Sequence, residues 1–182
     1  MDIPEDLSAA AEFHGHLCPG LTIGYRATRE ALDRIGVSRA YDEELVCEVE
    51  NDSCSVDAVQ FLAGCTFGKG NLVYRDHGKQ VFTFASRRRP GKAIRVSLKA
   101  DALPSSSEVV DPSRRREMAM ERLLTAPVEE LFSIAEVDYE PPAEAEIRVS
   151  LPCEECGEPT METRLVEKGG RRLCIPCSQA LG

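Results

Sequence analysis

Residues 13–36 read FHGHLCPGLTIGYRATREALDRIG, and most of this stretch predicts one long amphipathic helix. Pro19 suits the first helical turn, because an N–H at that position would have no helical partner. Apolar residues then recur at three- and four-residue spacing as far as Ile35, and Gly36 is a typical C-terminal cap. We therefore expect a helix over about residues 19–35, with Cys18 at its N-cap position.

The rest of the first 140 residues contains further helix and strand patterns. Residues 45–50 alternate apolar and polar positions, which is typical of a half-buried strand. Residues 71–76 and 80–85 are β-prone runs on either side of a short turn, so we expect a hairpin there. The other predicted helices cover residues 4–13, 56–62, 112–124 and 127–134, and the other predicted strands cover residues 94–98 and 144–151.

These elements predict an α+β fold, because helices and strands are interleaved without a regular βαβ order. We expect a mixed or antiparallel sheet with helices in a core domain of residues 1–140. A proline-containing connector, a last strand and a small cysteine-rich module are expected to occupy residues 141–182.

The composition is that of a folded globular protein, with 42% hydrophobic and 29% charged residues. The formal charge of −9 is unevenly distributed, since residues 1–60 carry −9, residues 61–126 carry +7 and residues 127–182 carry −7. Such an acidic chain is not expected to bind nucleic acid as its main partner. The basic middle segment either packs against the acidic ends or presents a solvated face, or it binds an anionic ligand or an acidic partner.

The chain shows no pattern for export or membrane insertion. Its N-terminus is acidic where a signal peptide would be basic, and no apolar run approaches the length of a bilayer span. Eight cysteines in such a chain favour a reducing compartment, where thiols bind metals or react rather than form disulfides. We expect a cytoplasmic protein with no membrane partner.

Two close cysteine pairs predict a structural zinc site near the C-terminus. Two residues separate Cys153 from Cys156, and two separate Cys174 from Cys177. Each pair places two sulfurs on one turn, and the two pairs together complete the tetrahedral shell of four thiolates that Zn²⁺ prefers. Because protein sulfur fills all four positions, we assign the zinc a folding role. The hairpin predicted between the pairs and the short helix after them leave a treble clef and a zinc ribbon as alternatives.

A second cluster of metal-binding residue types lies in the core domain. His14, His16 and Cys18 are close in sequence, and Cys54 precedes the helix predicted over residues 56–62 just as Cys18 precedes its own helix. Two thiols at helix N-termini can meet, and the helix dipole favours their thiolates. Three interpretations are open: a transition-metal site, an activated nucleophile at Cys18 or Cys54, and a turn that the cluster caps and packs.

The other thiols, glycines and histidine carry weaker signals. Cys47 shares a strand face with apolar residues and is expected in the core, whereas Cys65 is either packed or near the cluster. The turn at residues 68–70 lacks the spacing of a P-loop. We expect His77 to be an exposed turn residue.

Several blocks of the sequence resemble the family of the formylmethanofuran dehydrogenase E subunit. They are FHGHLCPG at residues 13–20 with GYR at residues 24–26, NDSCSVDAVQ at residues 51–60, GCTFGKGNL at residues 64–72, GKAIRV at residues 91–96 and ELF at residues 130–132. The resemblance implies an α+β core that forms a homodimer, with a C-terminal treble-clef zinc finger in some members. It also implies a core metal site, for which His16, Cys18 and Cys54 are the matching residues here.

Two functions of different classes follow from these observations. The resemblance implies a zinc-binding accessory or metal-handling protein that associates with a molybdenum or tungsten oxidoreductase. The alternative is a stand-alone enzyme that uses Cys18 and Cys54, with or without a second metal ion, on a small molecule. A zinc-finger regulator of transcription is a third interpretation, which rests on the cysteine module alone. Whether the chain is an enzyme stays open, because the sequence contains no complete catalytic motif and no recognisable pterin or iron–sulfur site.

Overall fold

The computed structural model describes residues 2–105 and 107–181. It divides into two compact units, the first ending at Glu144 and the second beginning at Ala145. The elements of the first unit are α1 (Glu5–His14), α2 (Pro19–Ile35), β1 (Leu45–Val49), α3 (Ser55–Ala63), β2 (Leu72–Tyr74), β3 (Val81–Ser86), β4 (Lys92–Leu98), α4 (Pro112–Thr125), α5 (Val128–Leu131) and β5 (Phe132–Asp138).

The strands of the first unit form one mixed sheet in the order β2-β1-β3-β4-β5. β2 runs parallel to β1, and the other neighbouring strands are antiparallel. Cys47, Phe84 and Ile94 lie side by side on one face of this sheet and belong to the main hydrophobic core. Residues of α2 and α3, such as Ala27 and Val59, complete that core. The predicted α+β class with a mixed sheet is therefore confirmed.

Helices α2 and α3 approach each other closely at Gly24. A Cβ atom built on Gly24 would lie 2.0 Å from the carbonyl oxygen of Ser55, so only a glycine leaves room for this contact. Helix α4 packs on another side of α2, where Thr22 Oγ1 donates to Met120 Sδ at 3.6 Å and Arg26 donates to the Ala126 carbonyl at 2.9 Å. The start of α2, which carries Cys18, is thus surrounded by α3 and α4.

The hairpin predicted for residues 71–76 and 80–85 is wrong. Both strands exist, but β1 lies between them and pairs with each. The connecting segment instead bonds to the end of β1, since Arg75 N–H donates to the Val49 carbonyl and Lys79 N–H donates to the Glu50 carbonyl, each at 2.9 Å. β1 is consequently an interior strand, buried at four of its five positions rather than along one face as predicted.

Two further predictions near the end of the first unit are wrong. The helix expected over residues 127–134 ends at Leu131, and Phe132 begins β5, because residues 132–138 find ladder partners along the whole of β4. The strand expected over residues 144–151 is reduced to its last two residues, since residues 139–149 adopt no regular secondary structure. Its alternating pattern has no neighbouring strand to pair with there, and Ile147 is fully exposed.

The second unit consists of two short hairpins and a helix. Its elements are β6 (Ser150–Pro152), β7 (Pro159–Met161), a 3₁₀ turn (Glu162–Arg164), β8 (Leu165–Lys168), β9 (Arg171–Cys174) and α6 (Ile175–Ala180). The first cysteine pair lies in the turn between β6 and β7, and the second pair lies at the start of α6. The helix that begins at the second cysteine pair matches a treble clef, which is one of the two predicted alternatives.

The helices in the described part of the chain are too short or too polar to cross a bilayer.

Candidate metal centres

The core cluster is assembled from the ends of three helices. His14 is the last residue of α1, and Gly15 ends that helix in the left-handed conformation at φ 98°. Cys18 is the N-cap of α2, where its sulfur accepts the N–H of Leu21 at 3.4 Å. Cys54 stands immediately before α3. His16 lies in the link between α1 and α2, so the local chain direction brings two imidazoles and two thiols to one place.

One potential ligand atom from each of His14, His16, Cys18 and Cys54 lies within 4.8 Å of the others. His14 Nδ1 is 2.7 Å from a carboxylate oxygen of Asp57, on the first turn of α3. His14 Nε2, in contrast, is buried and has no hydrogen-bond partner among the residues that the structure describes. A buried polar atom without a partner is costly unless another group satisfies it.

These features fit a bound metal ion. A histidine that ligates a metal through one ring nitrogen usually donates its other N–H to a carboxylate, which fixes the ring and raises its basicity. Asp57 provides that carboxylate, and Nε2 of His14 is the nitrogen left for a metal. The donor set of two imidazoles and two thiols is one that Zn²⁺ accepts in tetrahedral sites.

The thiol of Cys54 has a raised pKa in the absence of a cation. Burial is the main cause, and the Cys18 thiol beside it raises the pKa further. A divalent cation at the cluster would reverse both effects, because a coordinating thiol is deprotonated. As a nucleophile without a metal, Cys54 is therefore poorly activated.

A polar network holds the segment that carries Cys54. Asn51 Oδ1 accepts hydrogen bonds from the hydroxyls of Ser53 and Ser55 at 2.7 and 3.1 Å. Gln80, next to the start of β3, donates to Ser53 and accepts from Ser55. The loop before α3 is thereby fixed to the sheet through its own polar side chains.

The second cluster contains the four cysteines of the C-terminal unit. Ligand atoms of Cys153, Cys156, Cys174 and Cys177 also lie within 4.8 Å of one another. The sulfurs of Cys156 and Cys174 are 3.9 Å apart, close to the roughly 3.8 Å edge of a tetrahedron with Zn–S bonds of about 2.3 Å. The geometry therefore fits one four-coordinate zinc ion.

Backbone N–H groups favour the thiolate form of Cys153, the first cysteine of this cluster. The N–H groups of Cys156 and Cys174 lower the pKa of Cys153 to about 6, and the N–H of Cys174 lies 3.2 Å from the Cys153 sulfur. Gly157, at φ 77°, allows the tight turn that follows the first pair. The unit contains only a small apolar cluster of Leu173 and cysteines, so a metal would supply much of its stability.

The other residues singled out in the sequence lie elsewhere. Cys47 and Cys65 are both buried in the main core, where burial raises the pKa of both thiols, that of Cys65 to about 12. His77 is about half exposed, as expected of a turn residue, and its Nδ1 lies 3.0 Å from Glu50.

The structure adds His14 and Asp57 to the predicted core site of His16, Cys18 and Cys54. The sequence already showed His14 as an imidazole close to the other residues of the cluster. Nothing in the sequence singled out Asp57, although its position three residues after Cys54 on a helix that starts there puts it on the same side.

Comparison with known proteins places this fold and these motifs in a family. The family model described as "FmdE, Molybdenum formylmethanofuran dehydrogenase operon" matches residues 13–133, which include the whole core cluster. The chain belongs to the FmdE family. A second family, described as "Prokaryotic dksA/traR C4-type zinc finger", matches residues 147–180. The FmdE assignment confirms the resemblance inferred from the sequence blocks, and the C4-type match agrees with the cysteine geometry.

Two similar proteins extend this comparison. A "Probable S-adenosyl-L-methionine-binding protein" of Archaeoglobus fulgidus is 34% identical over 196 residues, covering 94% of this chain and 52% of the relative. The chain thus spans about half the length of that curated relative. The crystal structure of a tungsten formylmethanofuran dehydrogenase FmdE-like protein from Syntrophus aciditrophicus matches with a TM-score of 0.72 at 22% identity, over 96% of this chain and 90% of the other. This second likeness establishes a shared fold.

Proposed function

We propose that this FmdE-family chain is a metal-binding accessory protein of a molybdenum or tungsten oxidoreductase, with one transition-metal ion in the core cluster and one structural zinc ion in the C-terminal unit. The observation that carries the core site is the state of His14: Asp57 holds its Nδ1, while its buried Nε2 has no partner in the described part of the chain. An imidazole arranged in this way, within reach of two thiols, is oriented to bind a metal ion and suits few other roles.

A metal in the core cluster would supply a fixed positive charge at the N-termini of α2 and α3. The chain's own residues would orient the metal ion. Asp57 fixes the His14 ring. The Leu21 N–H fixes the Cys18 sulfur, and the network around Asn51 fixes Cys54. His16 is exposed, so the cluster reaches the surface of the first unit on that side.

Metal content per chain tests the two-metal proposal. We expect about two metal ions per chain in the purified protein by elemental analysis, and about one in the Cys18→Ser variant. Serine is also a good N-cap, so this variant removes the thiolate without removing the helix cap. The matched control is Cys47→Ala, which deletes a buried thiol outside both clusters and should keep both ions. One ion per chain in the unmodified protein would contradict the core site.

Association with an oxidoreductase is supported by the family, whose description names a molybdenum formylmethanofuran dehydrogenase operon, and by the fold shared with a tungsten formylmethanofuran dehydrogenase FmdE-like protein. We expect the tagged chain to co-purify from its host with a molybdenum- or tungsten-containing enzyme, and deletion of the chain to lower that enzyme's activity or metal content. Full activity after deletion, together with no co-purification, would contradict the accessory role.

A small-molecule function at the same site is the second candidate. Two observations favour it: Cys18 also lines a surface cavity, and the name of the Archaeoglobus fulgidus relative refers to S-adenosyl-L-methionine. Titration of S-adenosyl-L-methionine into the metal-loaded protein tests this candidate. Saturable binding that weakens in Cys18→Ser would favour it, and no detectable binding would eliminate this ligand.

The homodimer implied by the family resemblance is part of the same proposal. Sedimentation equilibrium should give about twice the chain mass of 20.0 kDa. A monomer at micromolar concentration would contradict this part of the proposal.

A further inference from the structure

A cavity of about 340 Å³ opens beside the core cluster, between the start of α2 and the start of α4. It is wide open to solvent, so it would enclose only part of a bound ligand. Most of its wall is apolar, and its charged groups are guanidinium groups from α4. The wall is formed by Cys18, Leu103, Pro104, Pro112, Arg115 and Ala119, together with Pro19 and Arg116.

Arg115 differs from the other arginines of α4, because its side chain has no partner among the described residues. Arg114 pairs with Glu117 at 3.2 Å, Arg116 donates to the Leu17 carbonyl at 2.8 Å, and Arg122 donates to the Ala102 carbonyl. For the side chain of Arg115, no hydrogen bond or ion pair is found within residues 2–105 and 107–181. The residue is partly buried, but its guanidinium nitrogens stay accessible to solvent and can take an anionic partner.

We propose that this cavity binds a small carboxylate-bearing molecule, with the Arg115 guanidinium on the carboxylate and the apolar wall around its hydrocarbon part. One planar guanidinium matches one carboxylate through two parallel hydrogen bonds. Inorganic phosphate has no hydrocarbon part to cover the largely apolar wall, which favours a carboxylate that carries an apolar chain. The basic character predicted for residues 61–126, with an anionic ligand as one interpretation, agrees with this assignment.

The inference deepens the proposed function and rests on it, because Cys18 belongs both to the core cluster and to the cavity wall. A carboxylate held by Arg115 would lie beside the metal-binding end of α2. The cavity then gives the core cluster a substrate class, namely short carboxylic acids with an apolar chain.

Titration with butyrate, followed by ¹H–¹⁵N NMR of the full chain, tests this inference. Butyramide serves as the neutral probe of the same shape, and inorganic phosphate as the competing anion. We expect butyrate to shift the Arg115 and Ala119 amide signals saturably and butyramide to have little effect. Arg115→Gln should weaken butyrate binding about tenfold or more, which corresponds to the loss of a charge-assisted hydrogen bond.

Arg114→Gln is the matched control, because it removes the same charge one residue away from a side chain outside the cavity wall. Equal binding of butyrate and butyramide, equal weakening by both arginine variants, or tighter binding of phosphate than of butyrate would each overturn the inference. Metal content measured on the same samples separates the two claims. Two ions per chain in both arginine variants support the core site, whereas one ion in the unmodified protein overturns the proposed function whatever butyrate does.

Discussion

At the scale of single residues, the core cluster depends on which nitrogen of His14 is free. Asp57 engages Nδ1 at 2.7 Å, which leaves Nε2 as the ring nitrogen available to a metal. The side chain of His14 is 11% exposed and that of Asp57 is 38% exposed. The carboxylate can therefore stay hydrated while it orients a nearly buried imidazole.

Replacement of Asp57 by asparagine should weaken metal binding at the core cluster. The amide keeps the shape but loses the carboxylate that holds the His14 ring, and loss of such an outer partner typically costs about 10- to 100-fold in metal affinity. Competition with a chromogenic chelator measures this affinity. The C-terminal site should keep its metal in the same experiment.

Asp52→Asn is the control for this prediction, because Asp52 is an exposed carboxylate two residues before Cys54. It makes the same change of charge near the cluster without touching His14. If both variants weaken metal binding equally, the effect comes from long-range charge and the orienting role of Asp57 is wrong.

At the scale of elements, the contact between α2 and α3 sets the distance between Cys18 and Cys54. Gly24→Ala would normally stabilise a helix by about 0.5 to 1 kcal/mol. Here the new methyl group would meet the Ser55 carbonyl, so we expect a loss of roughly 1 to 3 kcal/mol in the free energy of unfolding in urea. Because Ser55 follows Cys54, core metal affinity should fall as well.

Gly68→Ala is the matched control for the helix contact, since no atom lies within 4 Å of a Cβ built on Gly68. It should leave both the unfolding free energy and the metal content near their original values. A Gly24→Ala protein as stable as the original would show that α2 and α3 can separate without cost.

The end of β1 carries a buried charge that makes stability depend on pH. Burial raises the pKa of Glu50, but hydrogen bonds and charges from His77 and Arg95 outweigh it and leave the pKa below its ordinary value. The folded protein thus binds this proton less tightly than the unfolded chain does. The stabilisation that the ionised Glu50 carboxylate gives to the fold is complete above the pKa of about 4.3 that this group has in the unfolded chain. It is lost as pH falls through the lowered pKa of Glu50 in the folded state.

We therefore expect Glu50→Gln to lower the free energy of unfolding at pH 7 and the difference to shrink below about pH 4. Urea unfolding across this pH range measures the change. Glu12→Gln, at an exposed site on α1, should show no such pH-dependent difference. A difference for Glu50→Gln that stays constant down to about pH 3 would mean that ionisation of this carboxyl does not stabilise the fold.

At the scale of the whole molecule, two units with different sources of stability share one chain. The first has a large apolar core, whereas the second has few buried apolar side chains and four clustered thiols. Cys177→Ser should remove about one zinc ion per chain and abolish the amide-exchange protection of residues 150–180. The sheet of the first unit should keep its protection, and loss of protection in both units would contradict their independence.

The sequence alone predicted the features that depend on neighbouring residues. Helix α2 with its cysteine cap, the helix after Cys54 and the two cysteine pairs all follow from spacing and capping preferences within a few positions. The family resemblance likewise rests on contiguous blocks. The apolar alternation of residues 144–151 was misleading, because a strand pattern forms no strand without a partner.

Only the tertiary structure decided the features that join distant positions. His14 meets Asp57 across 43 residues, β1 separates the two strands that seemed to form a hairpin, and β5 exists because β4 offers it a ladder. The free energy of these contacts comes from packing and pairing that no local pattern records. Local spacing therefore determined which residues could bind a metal, and the packing of α1, α2 and α3 decided that they meet.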